Sequence, residues 1–205
     1  MGQPLVVSDT PLQGVKVIAS SAAVDERGSF ARWFCLPTLE SVLQGQHIRQ
    51  VNHSVNLRAG TVRGMHFKLS AAAELNPIDK DYSQTAEYKL VRCIRGKVYD
   101  VVLDLRPQSD TFCDYFSLEL SEENQKMLLI PPGCAHGFQA LLDNSQLLYL
   151  HTQDYQPTLE AGVRVDDPKF NIEWPLPIQH LSERDQTFAL FSTSIFSKLK
   201  QGAGL

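Results

Sequence analysis

Residues 97–106 read KVYDVVLDLR, and this stretch carries the strongest signal for the fold class. Every second residue from Tyr99 to Leu105 is apolar, whereas the intervening residues from Val98 to Arg106 are mixed in character. Side chains alternate between the two faces of a β-strand, so this period of two predicts a strand with one apolar face and one mixed face.

Similar short runs occur at residues 88–94, 115–120, 127–130 and 146–152. They are separated by turn-forming residues such as PQSD at 107–110 and PPG at 131–133. Several short strands at this spacing predict an all-β sandwich or barrel and not a chain of βαβ units.

Few helices are expected. Residues 38–44 place Leu39, Val42 and Leu43 on one helical face, and Gly45 is a suitable stop. A second helical turn is expected to begin at Ser182, and a third to lie near the carboxyl terminus. Residues 69–84 are polar and irregular, which predicts a long loop. This loop is a lid, a specificity element, a dimer contact or, equally well, a tolerated surface insertion.

Length and composition fit one globular domain spanning residues 1–205. The formal net charge is −4 without a basic stripe, which argues against nucleic acid as the main partner. Four cysteines without a C-x-x-C pair predict reduced, buried thiols in a cytoplasmic protein. The amino-terminal residues do not resemble a signal peptide, and no run of about 18 apolar residues predicts a membrane span.

Two histidines stand in settings that allow chemistry. His66 lies in VRGMHF at residues 62–67, where strict alternation would put Arg63 and His66 on opposite faces. If both residues line a pocket, Gly64 must mark a bulge or bend. His136 completes a P-x-G-x-x-H pattern that begins at Pro131 and resembles the second motif of cupin barrels. A tight turn that happens to contain a histidine explains that pattern equally well.

Metal catalysis is not expected at these histidines. Metal-binding cupins supply H-x-H and a glutamate in their first motif, whereas this chain has a single histidine, His66, followed by Phe67 and Lys68. A divalent metal needs three or four His, Cys or carboxylate ligands, and a neighbouring ammonium opposes its binding.

Three further residues are ambiguous when taken singly. Lys89 alternates with apolar neighbours in a strand, and most strand lysines are solvated. Tyr149 fits a core aromatic residue with a satisfied hydroxyl group. Asp185 fits the last position of an ordinary capping box that begins at Ser182. Each gains significance only through its neighbours in the fold.

From about residue 14 to residue 191 the chain resembles the dTDP-4-dehydrorhamnose 3,5-epimerase family. Single fragments of this kind are weak signals, but many in the same order are specific. The matching stretches are residues 25–30, 50–54, 62–67, 88–92, 96–106, 120–124, 130–138, 155–157, 166–168, 172–175 and 181–185.

The resemblance implies a cupin-type jelly roll, a homodimer with strands exchanged near the amino terminus, and no cofactor. It implies that His66, oriented by Asp185, is the base that removes a proton from carbon 3 or 5 of a 4-keto sugar. Tyr149 is then the acid that returns a proton on the opposite face of the sugar, and Lys89 stabilises the enolate oxygen. Further active-site and nucleotide-sugar contacts implied by the resemblance are Arg27, Gln50, Asn52, Arg63, His136 and Tyr155.

The implied roles agree with the residue types. The unperturbed pKa of histidine suits a base acting near neutral pH, and a carboxylate behind the ring fixes its tautomer. A lysine can stabilise an enolate without a metal. Two alternatives remain open, namely a keto-sugar isomerase on the same scaffold and a non-catalytic cupin that binds sugar nucleotides.

Two positions depart from the family pattern where the nucleotide base is expected. Arg32 stands where a glutamate is typical, and guanidinium cannot accept the imide N–H of thymine. Val165 stands where tryptophan is frequent, which would remove a stacking surface. Both substitutions weaken the assignment of thymidine as the base and leave the catalytic set untouched.

Overall fold

Strands of three to eight residues dominate the computed structural model, which describes residues 3–69 and 87–191. In chain order the strands are β1 (Val6–Asp9), β2 (Lys16–Ala19), β3 (Ala22–Asp25), β4 (Gly28–Ala31), β5 (Gln50–Asn56), β6 (Val62–Lys68), β7 (Lys89–Arg95), β8 (Lys97–Asp104), β9 (Tyr115–Ser121), β10 (Lys126–Ile130), β11 (Cys134–Ala140), β12 (Ser145–His151) and β13 (Glu160–Gly162). The helical elements are α1 (Leu36–Leu39), a 3₁₀ turn at Pro157–Leu159 and α2 (Glu183–Gln186).

Two antiparallel sheets form a cupin-type jelly roll, as the sequence predicted. One sheet has six strands in the order β1-β2-β10-β7-β12-β5, and the other has five in the order β13-β6-β11-β8-β9. Among the described residues, strands β3 and β4 pair only with each other and form a separate hairpin. The predicted runs at 88–94, 115–120, 127–130 and 146–152 correspond within one residue at each end to β7, β9, β10 and β12.

Three apolar clusters hold these layers together. The first cluster lies between the sheets and includes Val91, Val102, Leu128 and Phe138. A second cluster covers the outer face of the five-stranded sheet, and a third packs α1 against the outer face of the six-stranded sheet. Because both sheets are covered on both faces, the interior can bury charged groups away from solvent wherever partners are available.

Strand β8 shows how the alternation is used. Its apolar residues Val101 and Leu103 point outward into the second cluster, whereas Val98 and Val102 point into the first cluster between the sheets. The mixed face predicted from the sequence is therefore the interior face, and Asp100 on it is completely buried. Alternation gave the two faces correctly, but not which of them faces the inside of the barrel.

The helix predicted over residues 38–44 is wrong in its extent. Regular helix covers only Leu36–Leu39, and the chain continues in turns to Gly45, which has a φ of +78°. Leu39 and Leu43 are nevertheless buried in the third cluster, so the apolar face exists without a full helix. Packing onto the sheet sets this geometry, since four residues are too few to form a stable helix alone.

Other predictions have mixed outcomes. The helical turn at Ser182 is confirmed by α2, which Ser182 caps. The four cysteines are free as predicted, but only Cys93 and Cys134 are buried. The carboxyl-terminal helix and nearly all of the loop predicted at residues 69–84 lie outside the described residues. Within the described ranges, no helix has the length and hydropathy needed to cross a membrane.

Candidate functional site

The position of His66 depends on a bulge in β6. In the pairing with β11, His66 lies opposite His136 but Arg63 lies opposite Phe138, so three steps on β6 match two on β11. The extra residue turns Arg63 and His66 toward the same cavity, which confirms the bulge expected at Gly64. Gly64 has a φ of +145°, and a Cβ there would lie 2.5 Å from the Cα of Gly137. Only glycine fits this backbone.

Asp185 holds the ring of His66 from behind. Its Oδ1 lies 2.7 Å from His66 Nε2, and its backbone N–H donates to Ser182 Oγ at 3.1 Å. In a full capping box the carboxylate would reach back to the Ser182 N–H, but here it accepts from His66 and from the Gly64 N–H at 3.5 Å. The helix cap therefore fixes the backbone of Asp185 while its carboxylate serves the histidine.

The ionisation of Asp185 sets the tautomer of His66. Burial opposes the charged carboxylate, but the hydrogen bond and charge of His66, together with hydrogen bonds from Gly64 and Ser182, outweigh it, and the pKa of Asp185 lies below its usual value. An ionised carboxylate can only accept, so Nε2 carries a proton and the neutral ring has its lone pair on Nδ1. Nδ1 is thus the atom of His66 available to take a proton.

Tyr149 and Lys89 approach the same cavity from the six-stranded sheet, opposite His66. The hydroxyl of Tyr149 lies 3.0 Å from Ser54 Oγ, and burial raises the pKa of Tyr149 well above its usual value. The phenol therefore stays protonated at neutral pH and can act as a proton donor. Lys89 begins β7 and lies near Asp100 and Glu87, whose carboxylates feel its positive charge.

His136 forms a second histidine–carboxylate pair deeper in the cavity. Its Nε2 lies 3.0 Å and 2.9 Å from the two carboxyl oxygens of Asp100. Burial raises the pKa of Asp100 and lowers the pKa of His136, because desolvation of each group exceeds their mutual attraction. The histidine is therefore uncharged at neutral pH.

These residues line one open cavity of about 300 Å³, within the usual range of small-molecule sites. Of the ten site residues predicted from the sequence, the structure brings eight to its walls: Gln50, Asn52, Arg63, His66, Lys89, His136, Tyr149 and Tyr155. Asp185 lies behind His66 and lines an adjoining groove of about 660 Å³ that shares Arg63 and His66 with the cavity.

Arg27 is the predicted residue that the structure brings neither to this cavity nor to the adjoining groove. It lies at the tip of the β3–β4 hairpin, where its guanidinium pairs with Asp25 at 2.5 Å and its side chain is 85% exposed. Within one chain, the hairpin thus carries Arg27 away from the other site residues.

The residues missed from the sequence include three that hold predicted site residues in place. Asp100 holds His136, Ser54 binds the hydroxyl of Tyr149, and Asn56 Oδ1 accepts from Arg63 Nε at 2.8 Å. An aspartate inside the alternating run of β8 was the available signal for Asp100, because an unpaired charge on a buried face is costly. Ser54 and Asn56 carry no comparable signal, since polar residues on an edge strand are common.

The interpretation of Val165 as a lost stacking surface is wrong. Its side chain is buried in the second cluster, and its carbonyl accepts from Trp174 Nε1 at 2.8 Å. A residue at this position packs beneath the sheet and does not face the cavity. Among residues 3–69 and 87–191, no group of three or more His, Cys, Asp or Glu side chains is arranged to hold a metal ion. Independence from metals and cofactors stays a prediction.

Comparisons with known proteins agree on one family. The profile of the dTDP-4-dehydrorhamnose 3,5-epimerase family matches residues 9–193. The enzyme of that name from Methanothermobacter thermautotrophicus is 36% identical over 186 residues, which cover 87% of this chain and 90% of the relative. A dTDP-4-dehydrorhamnose 3-epimerase from Streptomyces niveus is 34% identical over 182 residues, which cover 88% of this chain and 81% of the relative.

A solved structure supports the same assignment. The dTDP-6-deoxy-D-glucose-3,5-epimerase of Legionella pneumophila, in complex with dTDP-4-keto-L-rhamnose, is 31% identical. It superposes with a TM-score of 0.78 over 90% of this chain and 92% of the other. With the profile match, these likenesses show that the chain belongs to the dTDP-4-dehydrorhamnose 3,5-epimerase family.

Proposed function

We propose that this protein epimerises a nucleotide-diphosphate-linked 4-keto-6-deoxy sugar at carbon 3, carbon 5 or both. The observation that carries the proposal is the opposition of two proton-transfer groups across one cavity. His66, backed by Asp185 at 2.7 Å, projects from one sheet, and the protonated Tyr149 projects from the other. A binding protein would not need an oriented base facing a protonated acid.

Each residue then has one task. His66 Nδ1 removes the proton next to the ketone, and the electrons of the broken C–H bond form a C=C bond while the C4 oxygen gains negative charge. The ammonium of Lys89 stabilises that oxygen, and this preorganised electrostatic contact lowers the barrier. Tyr149 protonates the carbon from the opposite face, so the centre is inverted. Solvent then takes the proton from His66 and returns one to Tyr149.

The relatives support thymidine diphosphate as the carrier. Their names specify dTDP-linked sugars, and the Legionella structure contains dTDP-4-keto-L-rhamnose. The Streptomyces niveus relative is named a 3-epimerase, whereas the other two are named 3,5-epimerases. We therefore propose a dTDP-linked substrate and leave the number of inverted centres to measurement.

Solvent deuterium incorporation into dTDP-4-keto-6-deoxyglucose, followed by NMR, tests the proposal. We expect label at carbon 3, carbon 5 or both with the wild-type protein. His66→Ala should lower the exchange rate by at least about 10³-fold, because it removes the base. His47→Ala, which removes an exposed histidine outside the cavity, is the matched control and should exchange normally.

Wild-type protein that exchanges neither position, with dTDP, CDP or GDP as carrier, would exclude the epimerase. Migration of the keto group instead of inversion would identify an isomerase on the same scaffold. Loss of folding in His66→Ala would assign that histidine a structural role.

We also propose that the chain acts as a homodimer of single-domain subunits. The β3–β4 hairpin exposes Val24 and Phe30 by 76% and 66%, and the edge strand β5 exposes Val51 by 58%. Exposed apolar residues on a hairpin and on a sheet edge suit contact with a second copy. Such a contact could bring Arg27 of one subunit to the cavity of the other. A cytoplasmic location and the absence of nucleic-acid partners stay predictions from the sequence.

A further inference from the structure

A continuous chain of hydrogen bonds runs along the wall of the cavity formed by the six-stranded sheet. The Tyr155 N–H donates to Gln50 Oε1 at 3.0 Å, and Gln50 Nε2 donates to Asn52 Oδ1 at 3.0 Å. Asn52 Nδ2 lies 3.3 Å from His151 Nε2, and His151 Nδ1 lies 3.0 Å from Glu87 Oε1. All five residues line the cavity, and the mechanism above uses neither His151 nor Glu87.

The groups at the two ends of this chain of hydrogen bonds fix which partner donates in every bond. The backbone N–H of Tyr155 can only donate, so the oxygen of the Gln50 carboxamide must face it. An ionised Glu87 can only accept, so His151 carries its proton on Nδ1 and offers a lone pair at Nε2. The NH₂ group of Asn52 must then face His151, and its oxygen faces Gln50.

The surroundings of Glu87, at one end of the chain of hydrogen bonds, favour its ionised form. Its side chain is only 10% exposed, and Lys68, whose side chain is 4% exposed, lies 3.8 Å away. Burial opposes the charge of Glu87, whereas the hydrogen bond from His151 and the positive charges of Lys89 and Lys68 favour it. The pKa of Glu87 therefore lies below its usual value, and the carboxylate remains an acceptor at neutral pH.

Because the direction of these hydrogen bonds is fixed, the groups left free to bind a ligand on this wall are also fixed. Gln50 Nε2 and Asn52 Nδ2 each carry two hydrogens, and the chain of hydrogen bonds uses one hydrogen of each group. Each carboxamide therefore has one N–H left, whereas both carboxamide oxygens already accept a hydrogen bond. This part of the wall presents donors, which match an acceptor-rich, negatively charged group such as a diphosphate.

We propose that Glu87 and His151 are positioning residues that hold Gln50 and Asn52 with their N–H groups toward the diphosphate of the substrate. The inference deepens the proposed function, since the diphosphate belongs to the sugar nucleotide. Glu87 and His151 do not touch the reacting carbon, so they should govern binding of substrate and not the proton transfer.

A matched pair of substitutions isolates this role. Glu87→Gln and Glu87→Leu remove the same negative charge and have similar volume, but only Gln keeps an oxygen that can accept from His151. His151→Phe keeps an aromatic ring but removes the link to Asn52. Binding of inorganic pyrophosphate, followed by ³¹P NMR titration, reports on the wall independently of the nucleoside and of turnover.

We expect Glu87→Leu and His151→Phe to raise the pyrophosphate Kd about five- to tenfold, the effect of one to two weakened hydrogen bonds. Glu87→Gln should stay within about threefold of wild type. In exchange kinetics, the first two variants should raise KM by a similar factor with kcat within about twofold.

Equal affinities of the Gln and Leu variants would overturn the proposal, as would wild-type binding by His151→Phe or a fall in kcat at unchanged KM. Thermal unfolding of each variant identifies a misfolded protein, and His151→Phe decides the matter if Glu87→Leu does not fold. Because pyrophosphate binding needs no reaction, absence of exchange in the wild type would refute the proposed function without affecting this test.

Discussion

The phenol of Tyr149 illustrates how a single residue acquires a chemical role through its surroundings. From the sequence it is an aromatic residue in an apolar strand, with no sign of acidity. In the fold it is half-buried opposite His66, and its hydroxyl lies 3.0 Å from Ser54 Oγ. Burial raises the pKa of the phenol and so keeps the proton on its oxygen, as the proposed role of Tyr149 as an acid requires.

Tyr149→Phe should separate the two halves of the reaction. His66 can still remove the proton, exchange it with solvent and return it to the same face. We expect deuterium to enter the substrate without inversion, with epimerised product reduced at least about 10²-fold. NMR of label and stereochemistry in the same sample measures both. Equal loss of exchange and inversion would contradict the separate roles of the two residues.

The residue types of the site could be predicted from the sequence, but their pairing could not. His66 and Asp185 are 119 positions apart, and only the fold brings their side chains to 2.7 Å. The resemblance to a family supplied that pair. It did not supply Glu87 and His151, because their importance depends on a hydrogen-bond direction that is visible only in three dimensions.

At the scale of elements, the bulge in β6 is the feature on which the site depends. Alternation predicted that Gly64 must break the strand if Arg63 and His66 share a pocket, and the register confirms it. The strands themselves were predictable because their period is strong. The helix at residues 38–44 was not, since its geometry depends on packing against the sheet.

Gly64→Ala should destabilise the protein by about 2–5 kcal/mol, through strain at positive φ and the clash with Gly137. Gly28→Ala is the matched control, because Gly28 has a φ of +123° but nothing within 4 Å of a Cβ. Urea unfolding of both variants measures the difference. Equal destabilisation would show that backbone strain alone, without the contact to Gly137, accounts for the effect.

At the scale of the whole molecule, the separate β3–β4 hairpin leaves Arg27 without a role inside its own chain. A dimer in which each hairpin reaches the other subunit would give it one. Sequence patterns predicted the barrel but could not predict such an arrangement independently of the resemblance, because the exposed apolar residues of a hairpin do not specify what covers them.

Mixing two defective variants tests this arrangement. Arg27→Ala should raise KM, and His66→Ala should be inactive. If Arg27 serves the partner's cavity, a co-expressed mixture contains pockets with both residues intact, and activity at low substrate should recover to about a quarter of wild type. If the mixture is no more active than the Arg27→Ala subunits that it contains, Arg27 does not serve the partner's cavity.

The division of the proton-transfer groups between two sheets has a consequence for the fidelity of the product. His66 belongs to the five-stranded sheet and Tyr149 to the six-stranded sheet, and the first apolar cluster between the sheets fixes their separation. Both residues lie within strands of these sheets and are not carried by loops. The handedness of the product is therefore tied to the cooperative packing of the barrel core, so that heating diminishes the yield of product long before it introduces errors of configuration.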